Sequence, residues 1–191
     1  MPFIREPPKL QEVFVLSTPQ HMLDKLFWEV HEFNGGTDEE DLFGYRNSGF
    51  SAFNCAVTAL HCADWAWSAG GPETKSFLAE KFEFNISGND RGDVIAFSDA
   101  LEKANRDFYI CRRLANGAKH MRRGAQPHSV HAAVEFSPRS YETEGRYLVD
   151  FVVKDGNITM LVSDVFARMC SFWERLYRQA GFIEDIFVGE N

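Results

Sequence analysis

The chain has 191 residues, 45% hydrophobic and 25% charged, a composition that suits a folded domain with a real core and excludes a disordered or fibrous chain. Its formal net charge of -8 argues against sequence-blind adhesion to nucleic acid over the whole surface. No window approaches the roughly 20 apolar residues of a membrane span, and the opening MPFIREPPKL lacks the apolar run of a secretory signal.

Residues 1–17 read as an extended N-terminal segment, because Pro7-Pro8 forbids helix and Val13-Phe14-Val15-Leu16 is only a short apolar run. Thr18-Pro19 predicts a helix cap followed by proline at the first helical position. Leu23, Leu26, Phe27, Val30 and Phe33 give that helix one apolar face, and Asn34-Gly35-Gly36 ends it. An acidic loop, Asp38 to Asp41, follows. The second helix is expected from Asn47-Ser48 to about Ser68, with Phe50, Phe53, Val57, Leu60 and Trp67 as its buried seam. Asp64 interrupts that seam. A carboxylate there must be paired or kept wet, and Lys119, Arg112 and His61 are its candidate partners.

A shorter helix is expected from Pro72 to about Phe82, then a polar loop through Gly88–Gly92 that includes the Arg91-Gly92-Asp93 tripeptide. A third long helix is expected from Asp93 to about Met121, with Phe97, Leu101, Ala104, Phe108, Cys111, Ala115 and Ala118 forming an unbroken seam. The period then changes. Val130–Phe136 and Tyr147–Val153 read as strands, Lys154-Asp155-Gly156-Asn157 carries a hairpin turn, and Ile158–Val162 returns. Ser163 is placed to cap a last helix that ends at Gly181. The fold class is therefore mostly α: an antiparallel bundle of four main helices with a small β-hairpin or short sheet, about residues 130–162, before the last helix. A single domain is expected over 18–183, with 184–191 a tail.

Cys55, Cys62, Cys111 and Cys170 form no CxxC pair and fall inside predicted helices. Buried free thiols in a reducing compartment, the cytoplasm, account for them better than disulfides or zinc.

On the third helix Tyr109, Arg113, Asn116 and His120 fall at helical spacing and form one stripe. At roughly 100° per residue the stripe lies nearly opposite the core seam, so it faces water or another molecule. Arginine offers a phosphate a rigid fork of donors, and histidine moves protons near neutral pH. Arg112, Lys119, Arg122 and Arg123 add positive potential beside them, and Gly117 within the stripe would permit close approach.

The run Arg113-Leu-Ala-Asn-Gly-Ala-Lys-His120 fits the Arg-x(4–6)-His motif of HEPN domains at its longest spacing, late in a long helix of an all-α bundle. Together with the earlier TALHCADWAW, it resembles a group of bacterial HEPN-like proteins. In helix order the resemblance covers roughly residues 18–180; its specific residues lie in 109–120. Leu114 stands where the family commonly has a polar residue, and either Arg112 or Arg113 can be the motif arginine.

The resemblance implies a metal-independent endoribonuclease of toxin–antitoxin or phage-defence type, acting as a homodimer, with RNA as substrate and an antitoxin or other protein as partner. Arg113 and His120 would be catalytic with Asn116 orienting them. Arg112, Lys119 and Tyr109 would line the cleft, while Asp64 and His61 would support them from behind. The alternative is a non-catalytic HEPN-like interaction or dimerisation module. A third option is a metal-binding bundle enzyme, since His61-x-x-Asp64, His21-x-x-Asp24 and His128-x-x-His131 each place two ligands close together. The Glu-x-x-His pairs of di-iron bundles and the His-Glu-x-x-His motif are absent, so no metal or cofactor is expected. No phosphate loop, nucleophile elbow or dinucleotide fingerprint is present, which excludes nucleotide hydrolysis and hydride transfer.

Overall fold

The computed structural model describes residues 16–35, 44–119, 130–138 and 147–183. Among them the chain forms α1 (Pro19–Gly35), α2 (Gly44–Ala69), α3 (Pro72–Lys81), α4 (Asp90–Ala104) and α5 (Arg106–Lys119). Strands β1 (Val130–Pro138), β2 (Tyr147–Asp155) and β3 (Ile158–Leu161) follow, then α6 (Val162–Gln179). The fold is mostly helical, with a three-stranded antiparallel sheet of order β1-β2-β3 placed before the last helix. No described helix is long and apolar enough to cross a membrane.

The bundle is built around α2, which packs against α1, α4, α5 and α6. Its buried face differs from the expected seam. Phe50 is 68% exposed, and Phe53, Val57 and Leu60 are only partly buried. The residues inside are Cys55, Ala56, Ala59, Cys62, Ala63 and Ala66, joined by Trp67. A helix surrounded on several sides needs small side chains to let its neighbours approach, so α2 turns its bulky residues to the flanks. Asp64 accordingly sits at a half-buried edge rather than in an apolar seam.

The expected third helix is two helices. Asn105, with φ -136° and ψ 111°, leaves α4, and its side-chain oxygen accepts from the backbone N–H groups of Asp107 at 2.9 Å and Phe108 at 3.1 Å. It thus caps the start of α5. The hydrophobic phase continues through the break, with Phe97, Leu101, Phe108, Cys111 and Ala115 all buried, so periodicity alone could not reveal it.

Thr18 caps α1 as expected, accepting from the His21 N–H at 3.2 Å. Phe27, expected on the buried face of α1, is 42% exposed. Lys25 on α1 donates to Thr58 Oγ1 on α2 at 2.6 Å and pairs with the buried Glu29. Helix α4 begins at Asp90, so Arg91-Gly92-Asp93 lies in its first turn and not in a loop. Asp93 is buried and accepts from the Ser87 hydroxyl and N–H, each at 2.7 Å, and from the Gly88 N–H at 3.1 Å. These bonds, led by the Ser87 hydroxyl, hold its carboxyl below the usual carboxylate range.

In the sheet, Asp155 pairs with Ile158 across a tight turn in which Gly156 takes φ +60°, a left-handed conformation suited to glycine. Val152 and Val153 are both buried, so the sheet is covered on both faces at that point. β3 runs directly into α6, whose N-cap is Leu161; Ser163, expected to cap it, lies inside the helix. Gly181, at φ +75°, follows the end of α6 as expected.

Large rings fill the space the small residues of α2 leave at its ends. Phe33 meets Phe151 and Phe166 edge-on at 5.7 and 5.6 Å, tying α1 to the sheet and α6. Trp67, Phe84 and Phe97 form a second cluster, and Phe108 meets Trp173 at 6.0 Å.

Candidate functional site

The break at Asn105 lets α5 lie against α4, and this corner brings opposite charges together. Arg112 Nη1 contacts Asp99 Oδ1 at 2.7 Å and also pairs with Glu102 Oε2. Arg113 Nη2 pairs with the other oxygen of the same Glu102. The Arg113 guanidinium also lies 4.9 Å from the Tyr109 ring centre, one turn earlier on α5. Its Nε is buried and has no hydrogen-bond partner among the described residues.

These groups surround a polar cleft of about 340 Å³ lined by Asp99, Glu102, Lys103, Arg112, Arg113 and Asn116. Arg113 and Asn116 of the predicted stripe therefore share one cleft, with Tyr109 beneath the arginine. Tyr109 is half-buried and packs on the hydrophobic core, so that end of the stripe is less open than its helical phase suggested. No motif in the sequence marks Glu102 or Asp99. Glu102 stands ten and eleven residues before its two partners, a spacing with no helical meaning until the chain turns at Asn105.

Lys119 ends α5, and its side chain lies outside the described residues, as does His120. At Gly117 an added Cβ would meet no atom within 4 Å, so no described neighbour requires a glycine there. Among the expected partners of Asp64, Arg112 pairs with Asp99 and Glu102 of α4. The charge of Asp64 is felt at Tyr177, where burial first, then Cys62 and Asp64, drive the phenol far above its ordinary range. His61 lines a different cavity, about 390 Å³ between α1 and α2, together with Lys25, Thr58 and Trp65.

All four cysteines are free and buried. Burial pushes the Cys170 thiol up to about 11 and Cys55 up to about 12, with Cys62 and Cys111 higher still. At neutral pH they are protonated core groups and poor nucleophiles. Among the described residues no three His, Cys, Asp or Glu side chains are grouped to hold a metal ion. The pair His128-x-x-His131 lies only partly within them, with His131 exposed on β1 and His128 outside.

No family model, no curated protein and no solved structure matches this chain.

Proposed function

We propose that the chain is a HEPN-like domain that acts on RNA as a homodimer in the cytoplasm, cleaving it without a metal. The observation that supports this reading is the posture of Arg113. Its guanidinium is braced between the Tyr109 ring and Glu102, at the rim of a polar cleft shared with Arg112 and Asn116. A braced guanidinium presents donors in a fixed orientation, which suits stabilisation of the charge that gathers on phosphorus-bound oxygens during transesterification. The general acid or base would be His120, the residue that follows Lys119 in the sequence, acting on the 2′-hydroxyl or the leaving oxygen. Asn116 would orient Arg113 and His120. Lys119 and Tyr109 would hold the strand or line the cleft made by two copies.

The test is a ribonuclease assay on purified protein with chelator present, beside His120→Ala. Cleavage that resists chelator and disappears in the variant supports the reading. Cleavage that survives the substitution removes His120 from the mechanism.

A second reading has its own support: Arg112 and Arg113 already carry carboxylate partners in Asp99 and Glu102. A surface neutralised in this way suits a non-catalytic module that binds a protein partner, such as an antitoxin or a second copy. Such a module tolerates His120→Gln and loses binding when Tyr109 is replaced.

A further inference from the structure

We infer that Glu102 is an internal competitor for the anion that this cleft binds, and so sets the anion affinity of the Arg112–Arg113 pair; the inference rests on the phosphate-binding role proposed above. The argument begins with how the donors are used. The Nε–H and Nη2 groups of an arginine share one edge, and an anion with two oxygens grips both. Arg168 does so with Asp107, through Nε and Nη2 at 2.8 Å each. At Arg113 the same edge is half-used: Nη2 pairs with Glu102 Oε1, while Nε is buried without a partner among the described residues.

The reason is that Glu102 is divided. Its second oxygen is taken by Arg112 Nη1, so one carboxylate bridges two guanidiniums and completes a fork on neither. Its side chain is only 18% exposed and comes from α4, so the fold itself places it there. Asp99 contacts the same Arg112 Nη1, so the two arginines, with Lys103 also lining the cleft, are set against two carboxylates.

A phosphate has the oxygens to satisfy Nε and Nη2 of Arg113 together, but it reaches that edge only by displacing Glu102 or sharing with it. A positively charged pair held in this manner binds a ligand of high anionic charge in preference to a weakly charged one. A phosphodiester chain or a pyrophosphate meets that condition.

The experiment compares wild type with Glu102→Gln, which keeps an acceptor oxygen and removes the charge. Two probes are titrated into each, inorganic pyrophosphate and a fluorescent single-stranded RNA dodecamer, at several salt concentrations. Asp99→Asn, at a half-exposed position, is carried in parallel so that the test stands if Glu102→Gln fails to fold. The expected result is tighter binding of both probes to Glu102→Gln, by about threefold or more. The logarithmic salt slope for RNA steepens by roughly 0.7 for each arginine charge released. Arg113→Gln added to Glu102→Gln removes the gain.

Loss of a purely structural contact would not raise affinity, so a gain identifies competition. Unchanged or weaker binding of both probes in the charge-removed variants overturns the inference, as does absence of binding in every form. RNA binding indifferent to Glu102 overturns it while leaving the RNA reading standing. Tighter pyrophosphate binding with no RNA binding in any form supports the competitor and overturns the RNA reading.

Discussion

Tyr177 on α6 donates its hydroxyl hydrogen bond to the backbone carbonyl oxygen of Cys62 on α2, at 2.8 Å, with both residues buried. The bond joins the last helix to the central one where α2 carries its small residues. A buried phenol needs such a partner, and the helix carbonyl has a second lone pair to give. Tyr177→Phe should lower the unfolding free energy by about 1 kcal/mol with the fold retained. Urea denaturation followed by circular dichroism checks this, and an unchanged midpoint would show the bond to be energetically idle.

Two helices end in the same way with different residues at the left-handed position. After α6, Gly181 at φ +75° donates to Arg178 O at 3.1 Å, and Phe182 donates to Tyr177 O at 2.9 Å. After α3 the equivalent bonds run from Glu83 to Glu80 O at 3.3 Å and from Phe84 to Ala79 O at 3.0 Å, with Glu83 at φ 55°. A side chain at that φ crowds its own backbone, a strain glycine does not have. Glu83→Gly should therefore stabilise the protein by about 0.5–1 kcal/mol, despite the entropy glycine loses on folding. A drop in melting temperature for this variant would contradict the strain.

Gly117 offers the opposite exchange. It is exposed within α5, and a Cβ there meets nothing within 4 Å. Gly117→Ala should raise stability by about 1 kcal/mol through helix propensity. If cleavage or dimerisation falls while the melting temperature rises, the glycine serves an approaching molecule rather than the fold.

Asp93 predicts acid sensitivity. Its folded pKa lies below the ordinary value because Ser87 and Gly88 donate to its carboxylate. Its contribution is thus fully present above the unfolded value of about 3.9 and is lost as pH falls through the lower folded value. Denaturation curves taken from pH 6 down to pH 2 should show a steeper loss for wild type than for Asp93→Asn. Parallel losses in the two proteins would mean that the carboxylate is not titrating with folding.

Local chemistry along the chain was the legible part of this protein. The cap at Thr18, the turn at Gly156 and the stop at Gly181 each depend on a few neighbouring residues whose backbone options are narrow. The change from helical to strand periodicity after α5 is legible for the same reason. Asn105 was not, since a capping residue can hide inside a hydrophobic pattern that stays in phase on both sides of it. In the candidate site, Arg113 and Asn116 could be seen as one stripe. The carboxylates paired with Arg112 and Arg113 could not, because they lie across the corner that Asn105 makes.

Hydrophobic period and turn chemistry, which act over a few residues, mark the main helices and the strands but neither the break at Asn105 nor the start of α4 at Asp90. Tertiary structure alone decided which face of α2 is buried. Apolar size marks Phe50 and Phe53, but space among four neighbouring helices admits Ala56, Ala59 and Ala63. It also decided that Arg112 and Arg113 meet the carboxylates of Asp99 and Glu102, because a charge pair depends on distance through space, which no spacing along the chain encodes.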